Sequence, residues 1–239
     1  MSTIFRRNSL AVIVATLLLT GCELMPTRDA DTASEPSAEP SRERAADSDD
    51  GASQDQSYGY TRNGLYLARN DQDISERRQR LLDEGHESVA TDRVGFYMDV
   101  LTARLRQDLA NQGVELSRED RTITLTFAGD LAFETNSATI HPDMVPILDA
   151  LGQVLEEYHA SIITVAGHTD SAGARQFNQH LSEQRALSVA QHLHAKGIGD
   201  ARIMAIGHGP DRPIADNDHG QGRALNRRVE LRIEPLTAS

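Results

Sequence analysis

At 239 residues the chain can hold one ordinary domain with extensions, or two small ones, but only 38% of it is apolar, 4% is aromatic and there is no Trp. That is lean for a chain packed throughout, so part of it is expected to lie outside any core. A net charge of −12 argues against nucleic acid and anionic lipid heads as partners, because both are gripped by clustered Lys and Arg. The single cysteine, Cys22, excludes an internal disulfide and a Cys-based metal framework.

Arg6 and Arg7 precede an apolar run of eleven residues, Leu10 to Thr20. A membrane-spanning helix takes about 20 residues, so this run has instead the length of a secretory signal core. Leu19-Thr20-Gly21-Cys22 follows directly and resembles the bacterial lipobox. That resemblance implies cleavage before Cys22, with acyl chains (palmitate among them) on its sulfur and new amino group. Several chains anchor stably, since each buried CH₂ contributes about 0.8 kcal/mol. An ordinary cleaved signal with a chance Cys, or an uncleaved anchor, are the alternatives. Glu23, in the second mature position, is not the Asp of an inner-membrane retention signal, which favours the outer membrane. Cleavage would remove two arginines and no acid, taking the charge from −12 to about −14.

Residues 22–57 form the expected acidic linker. Between Glu23 and Ser57 there are ten acidic residues, three Arg and almost nothing apolar after Met25. Such a segment buries too little surface to offset its ordering entropy, and its charges repel one another. Its 35 residues reach at most about 115–125 Å fully stretched and average about 30–35 Å as a coil. Residues 58–91 are less determinate. Tyr58, Tyr60, Leu65, Tyr66 and Leu67 cluster, and Asp71 to Glu84 suits a charged helix ending at Gly85; the segment either packs on the domain or binds another partner.

Regular structure is expected from Asp92 to the end of the chain. Tyr97, Leu101, Leu105 and Leu109 recur every four residues, one face of a helix stopped by Gly113. Val114 and Leu116, a turn at Arg118 to Asp120, and Ile123, Leu125 and Phe127 alternating with threonines predict a hairpin. Ile147, Leu148, Leu151, Val154 and Leu155 mark a second helix, its start left open by Pro142 and Pro146. Ser161 to Ala166 reads as a strand and Ala186, Val189, Ala190 and Leu193 as a helix closed by Gly197. Arg202 to Ile206 and Val229, Leu231 and Ile233 read as two more strands. The fold class is α+β: a β-α-β-α-β mixed sheet with helices packed on one face, preceded by a disordered acidic linker.

Three segments carry the functional signal: Phe133-Glu134-Thr135-Asn136-Ser137-Ala138; Gly167-His168-Thr169-Asp170-Ser171-Ala172-Gly173 with Asn178, Leu181-Ser182 and Arg185-Ala186; and Gly222 to Glu230 with Arg227-Arg228. Asp170 is expected just past the end of a strand, in a small-residue loop where ligands often bind. Ser182 reads as a helix cap with Glu183 first in the helix, which puts Arg185 in the first turn. A cation there opposes the helix dipole by about 0.3–1 kcal/mol, while free backbone N–H groups and a guanidinium make a carboxylate site. Asp170 supplies the charge for an ammonium. The pair suits an amino-acid head, such as the free end of diaminopimelate in a cell-wall peptide stem.

Taken together, the three segments resemble the OmpA-like domain, the peptidoglycan-binding module of peptidoglycan-associated outer-membrane lipoproteins and flagellar stators, over about 115–145 residues ending near Pro235. The resemblance implies that Asp170 and Arg185 clamp the diaminopimelate ammonium and carboxylate. It also implies that Thr169, Asn136, Asn178, Leu181 and Arg227 line the pocket. It further implies no cofactor, a periplasmic domain held at the outer membrane through acylated Cys22, and peptidoglycan as partner, with other envelope proteins as further candidates.

Plainer readings stand beside these. Asp170 and Arg185 could form a surface salt bridge worth about 0–1 kcal/mol, Asn136 and Asn178 could serve turns or caps, and Leu181 could precede a cap. Arg227 and Arg228 could flank a strand and pair with Glu230. Among the nine histidines, His192 and His194 lie two apart and point to different helix faces, and His208 and His219 lack metal-ligand spacing, so no metal is expected. No G-x-S-x-G, P-loop or dinucleotide fingerprint occurs, which argues against an enzyme. Competing functions are an assembly lipoprotein using residues 58–91, a stator-like motor protein, and a wall hydrolase.

Overall fold

The computed structural model describes residues 59–61 and 64–237. The signal segment, Cys22 and the acidic linker lie outside the described residues. In chain order the elements are β1 (Gly59–Tyr60), β2 (Tyr66–Ala68), α1 (Asp71–Asp83), α2 (Val94–Asp108), β3 (Glu115–Glu119), β4 (Thr122–Ala128), α3 (Gly129–Ala132), α4 (Val145–Glu157), β5 (Ser161–His168), α5 (Arg175–Ala195), β6 (Ile203–Gly207), α6 (Gly220–Asn226) and β7 (Arg228–Pro235). The strands make one mixed sheet in the order β1-β2-β6-β5-β7-β4-β3. Strands β2, β6 and β5 are parallel, while β7 runs antiparallel between β5 and β4.

The period-2 alternation of the strands sorts their side chains onto two faces. Ile163 and Val165, with Ile203, Ala205, Leu231 and Leu125, face the main core. There they meet Met98, Leu101 and Leu105 of α2, Leu148 and Leu151 of α4, and Val189 and Leu193 of α5. Each such fully buried aliphatic side chain contributes about 1.5–3 kcal/mol. These three helices share one face of the sheet, as the sequence pattern implies. Ile162, Ala166, Met204 and Ile206 turn the other way and are covered by Ile74 and Leu81 of α1. The segment before Asp92, whose role the sequence left open, thus adds two strands to the sheet edge and a helix to its second face. Asn70 caps α1 by accepting from the Asp73 N–H at 3.0 Å.

Pro146 does not break α4. It occupies the second position of that helix, where no intrahelical N–H is needed, after a short 3₁₀ turn at Pro142–Met144. His168, at the end of β5, is buried, and burial, with Arg228 next, pushes its pKa down to about 2; His208 packs beside it with ring centroids 5.0 Å apart and is pushed down to about 4, again chiefly by burial. Both rings are therefore neutral, His168 within the core and His208 half-buried beside it.

Helix α5 differs from expectation. It begins at Arg175, not after Ser182. The Ser182 hydroxyl does not cap a helix: it donates to the Gln179 carbonyl at 2.7 Å and accepts the Gly209 N–H at 2.9 Å. At this point the helix lies directly on the sheet. A Cβ on Gly167 would stand 2.1 Å from the Ser182 carbonyl oxygen, and one on Gly207 would meet Glu183 and Ser182 atoms at 2.5–2.7 Å. Gly167→Ala is expected to cost about 3 kcal/mol, because backbone would have to move away from backbone. Gly95→Ala, on an open helix face with nothing within 4 Å, should raise stability by about 1 kcal/mol. Urea denaturation measures both, and a Gly167→Ala variant as stable as the parent would refute the close approach.

Candidate functional site

Three chain segments meet at the end of the sheet where β5 finishes. The first is the loop after β5, whose Asp170 lies two residues beyond the strand end. Its carboxylate accepts the Ala172 N–H at 3.0 Å, and the Asn178 amide, reaching from α5, donates to the carbonyls of Asp170 (3.3 Å) and Ala172 (2.8 Å). Asn178 thus braces the loop from the first turn of the helix. The second is the segment 133–140, closed on itself by a bridge between Phe133 and Ile140 and by the Glu134 N–H donating to the Thr139 carbonyl at 3.1 Å. Asn136 sits at its tip with φ +53°, a left-handed conformation that Asn tolerates better than most residues. The third is Arg227, between α6 and β7.

These segments enclose a cavity of about 330 Å³. All seven residues singled out in the sequence line it: Asp170, Arg185, Thr169, Asn136, Asn178, Leu181 and Arg227. The structure adds Phe133, Phe177 and Asp130 to the same wall. Phe133 stood within a quoted motif, and Phe177 precedes Leu181 and Arg185 at four-residue spacing, so a helix beginning before Ser182 would have placed it there. Asp130 carried no signal, because the one-turn helix α3 that presents it has no pattern of its own.

The electrostatics of the cavity are asymmetric. Arg227 bridges two acids, donating to Asp170 Oδ2 at 3.0 Å and to Asp130 Oδ2 at 3.2 Å, and the bond to Asp170 is the chief cause holding its pKa above the ordinary value. Arg228, its neighbour, turns away to Glu230 at 2.7 Å. Of the two adjacent arginines, one serves the strand and the other the cavity. Arg185 is only 5% exposed. Its Nε donates to the Ser137 carbonyl at 3.0 Å and its guanidinium carbon lies 5.1 Å from the centre of the Phe133 ring. It has no ion pair among the described residues. Burial first, then the Arg227 charge, pushes its pKa down.

Arg185 is not in the first turn of its helix, as the sequence reading had it. Because α5 starts at Arg175, Arg185 lies in the helix interior and its backbone N–H is already within the helical ladder. No free N–H groups assist it, and the side chain alone offers the positive charge. The Thr169 hydroxyl is buried without a hydrogen-bond partner on the same cavity. An unpaired buried cation, an unused hydroxyl and an acid with spare lone pairs suit a small zwitterion. Among the described residues no three His, Cys, Asp or Glu side chains converge as metal ligands.

Residues 132–227 match the model of the OmpA family. The chain carries an OmpA-family domain. Over 143 residues it is 41% identical to "Probable lipoprotein YiaD" of Escherichia coli (strain K12), a match covering 60% of this chain and 65% of that protein. It is 37% identical over 109 residues to "Peptidoglycan-binding protein ArfA" of Mycobacterium tuberculosis, covering 46% of this chain and 33% of the relative. The chain therefore spans about two thirds of one curated relative and a third of the other. Among solved structures, the cell wall anchor of the T6SS from Pseudomonas aeruginosa superposes with a TM-score of 0.51 at 29% identity, over 56% of this chain and 96% of that one. The OmpA-family match begins at Ala132 and ends at Arg227, so it takes in the 133–140 loop, the β5 loop, α5 and the bridging arginine.

Removing the unpaired charge should relieve its burial cost. Arg185→Met is expected to raise the unfolding free energy by about 1 kcal/mol, the lost bond to Ser137 being outweighed by the desolvation no longer incurred. A urea titration reads this directly. A fall of more than about 1 kcal/mol would show instead that Arg185 is mainly a structural pillar.

Proposed function

We propose that this chain is a non-catalytic peptidoglycan-binding lipoprotein that tethers the outer membrane to the cell wall. In this reading its cavity clamps the free amino-acid end of diaminopimelate in the peptide stem. The single observation that carries the proposal is Arg185: a nearly buried guanidinium with no acid partner, lining the same cavity as Asp170. A ligand carboxylate would supply the missing counter-charge. Each oxygen of Asp170 has accepted one of the hydrogen bonds described above, and a carboxylate accepts about four in all, so a ligand ammonium can still be received beside Arg227.

The other residues take distinct roles. Thr169 offers its unused hydroxyl to the ligand head. Leu181, with Phe133, forms the apolar wall along the ligand's methylenes. Asn178 and Arg227 hold Asp170 in place, and Asn136 shapes the rim. The names of the relatives, one a peptidoglycan-binding protein, one a cell wall anchor and one a probable lipoprotein, support the same reading. The lipobox-like Leu19-Thr20-Gly21-Cys22 and the acidic stretch after it complete it: a signal segment over residues 1–21, an acyl anchor on Cys22, a leash over residues 22–57, and a domain in the periplasm. The rival assembly function rested on residues 58–91, yet Ile74 and Leu81 of that segment are spent on packing against the sheet.

Co-sedimentation with purified sacculi tests the clamp. The parent protein should pellet, and Asp170→Asn or Arg185→Met should weaken binding at least about tenfold, since each removes a charge-assisted hydrogen bond worth about 1.5–3 kcal/mol. If both variants still pellet like the parent, the clamp is wrong. Cell fractionation tests the anchor separately. Cys22→Ser should move the protein from the membrane fraction to the soluble periplasm, and retention on membranes would point to an uncleaved segment.

A further inference from the structure

The side chains of α5 that line the cavity do not stop at its edge. Phe177, Leu181 and Arg185 recur every four residues, and Ser188 and His192 continue the series. At about 100° per residue these five fall within an arc of about 80° on the helix surface. The first three line the cavity, and Ser188, Gln191 and His192 line a second, open trough of about 630 Å³. The far wall of both is the segment 133–140, whose Ser137 accepts from Arg185 through its carbonyl and also lines the trough. Cavity and trough are therefore joined at Ser137, with a common helix on one side and a common loop on the other.

The trough has a particular chemistry. It is lined by apolar Ala138 and Ile140 together with the Thr139 and Ser188 hydroxyls, the Gln191 amide and the His192 ring. His192 is held by Asp149 at 2.7 Å, with Lys196 on the same carboxylate at 2.8 Å, so the ring is fixed in orientation. Hydrocarbon flanked by hydroxyl and amide donors and acceptors matches an N-acetylated sugar or a peptide backbone. At the opposite end of the cavity stand Phe177 and the Ala172-Gly173 turn, which offer sugar hydroxyls no side-chain partner.

We infer that the trough along α5 receives the part of the wall ligand between the diaminopimelate head and the glycan strand, with Ser188 and Thr139 contacting the stem and Gln191 the first sugar. This rests on the diaminopimelate reading of the cavity. The lengths agree. From Arg185 to His192 the helix rises about 10 Å, while diaminopimelate's own methylene chain (about 5 Å) and the two stem residues between it and the sugar (about 7 Å) together span about 12 Å when extended. A ligand whose head is held at Arg185 therefore lays its stem past Ser188 and presents its sugar at the Gln191 end of the trough.

Titration calorimetry on the full protein with two probes decides it: free diaminopimelate, and a disaccharide-tripeptide released from purified wall. In the parent the disaccharide-tripeptide should bind about tenfold more tightly, as two or so added hydrogen bonds would give. The double variant Ser188→Ala, Gln191→Ala should lose that advantage and leave the affinity for free diaminopimelate unchanged. Both positions are at least partly exposed, so the fold should tolerate the change. Equal affinities of the two probes in the parent, or an unaltered preference in the double variant, overturn the trough while leaving the clamp standing. Binding of neither probe overturns the clamp, and the trough with it.

Discussion

Helix α5 touches the sheet through bare backbone. Gly167 of β5 and Gly207 of β6 leave no room for a methyl beneath Ser182 and Glu183, and the Ser182 hydroxyl ties the helix to the Gly209 N–H. Everything in the cavity is referred to that crossing. Asn178 lies about one turn before it and reaches the loop that carries Asp170. Arg185 lies almost one turn after it and reaches the loop that carries Ser137. A helix held even 1–2 Å higher, as any β-carbon at Gly167 would require, would lift both side chains off their partners together. Tight packing here is less a contribution to stability than the means by which one helix sets the distance between two opposite charges.

That placement carries an energetic conflict. Burying a guanidinium without a counter-ion is unfavourable, and here the nearest acids are already engaged by Arg227. The Phe133 ring and the Ser137 carbonyl recover part of the cost, but neither neutralises the charge. Groups that a domain keeps at the expense of its own stability mark places where local consistency is broken for a purpose. Arg227 behaves oppositely: it is satisfied in the free protein and fixes Asp170. The two arginines of the cavity thus differ in kind, one positioning the acid and the other without an ion pair among the described residues.

Much of this architecture could be read from the sequence, and the exceptions have physical causes. The apolar periodicity of Met98, Leu101 and Leu105, and of Leu148, Leu151 and Leu155, marks helices because each buries one face. The continuous β-branched run from Ser161 gives β5 because that strand is buried on both faces. The start of α5 was misplaced because Ser182-Glu183 looks like a cap signature, while the true start at Ala174-Arg175 has no side-chain cap at all; the hydroxyl serves a tertiary bond instead. Helix α1 was legible as a charged helix over Asp71 to Glu84, but its place on the second face and the three-residue β2 were not, since β2 pairs in parallel with β6 about 140 residues later in the chain, and nothing local encodes so distant a partner. That seven residues from three distant segments would line one cavity was legible because the three motifs, in their order and spacing, resemble a known domain. The depth of Arg185 was not, because burial follows from packing.

The topology also bears on how a tether would load the domain. Strands β5, β6 and β2 run parallel, and β1 runs back against β2 with Gly59 opposite Leu67. The chain therefore enters the sheet at the same end at which β5 delivers Asp170, three strand spacings away, or about 14 Å. Under the proposed anchoring, membrane and wall would pull on one end of the sheet and not across the core. The load would pass along the strand ends, from β1 through β2 and β6 to β5, and β1, with only two residues paired to β2, would peel first. The main core of α2, α4 and α5 lies off that path, so a pull on the leash could strip the edge while the arrangement of α5 over Gly167 stays intact.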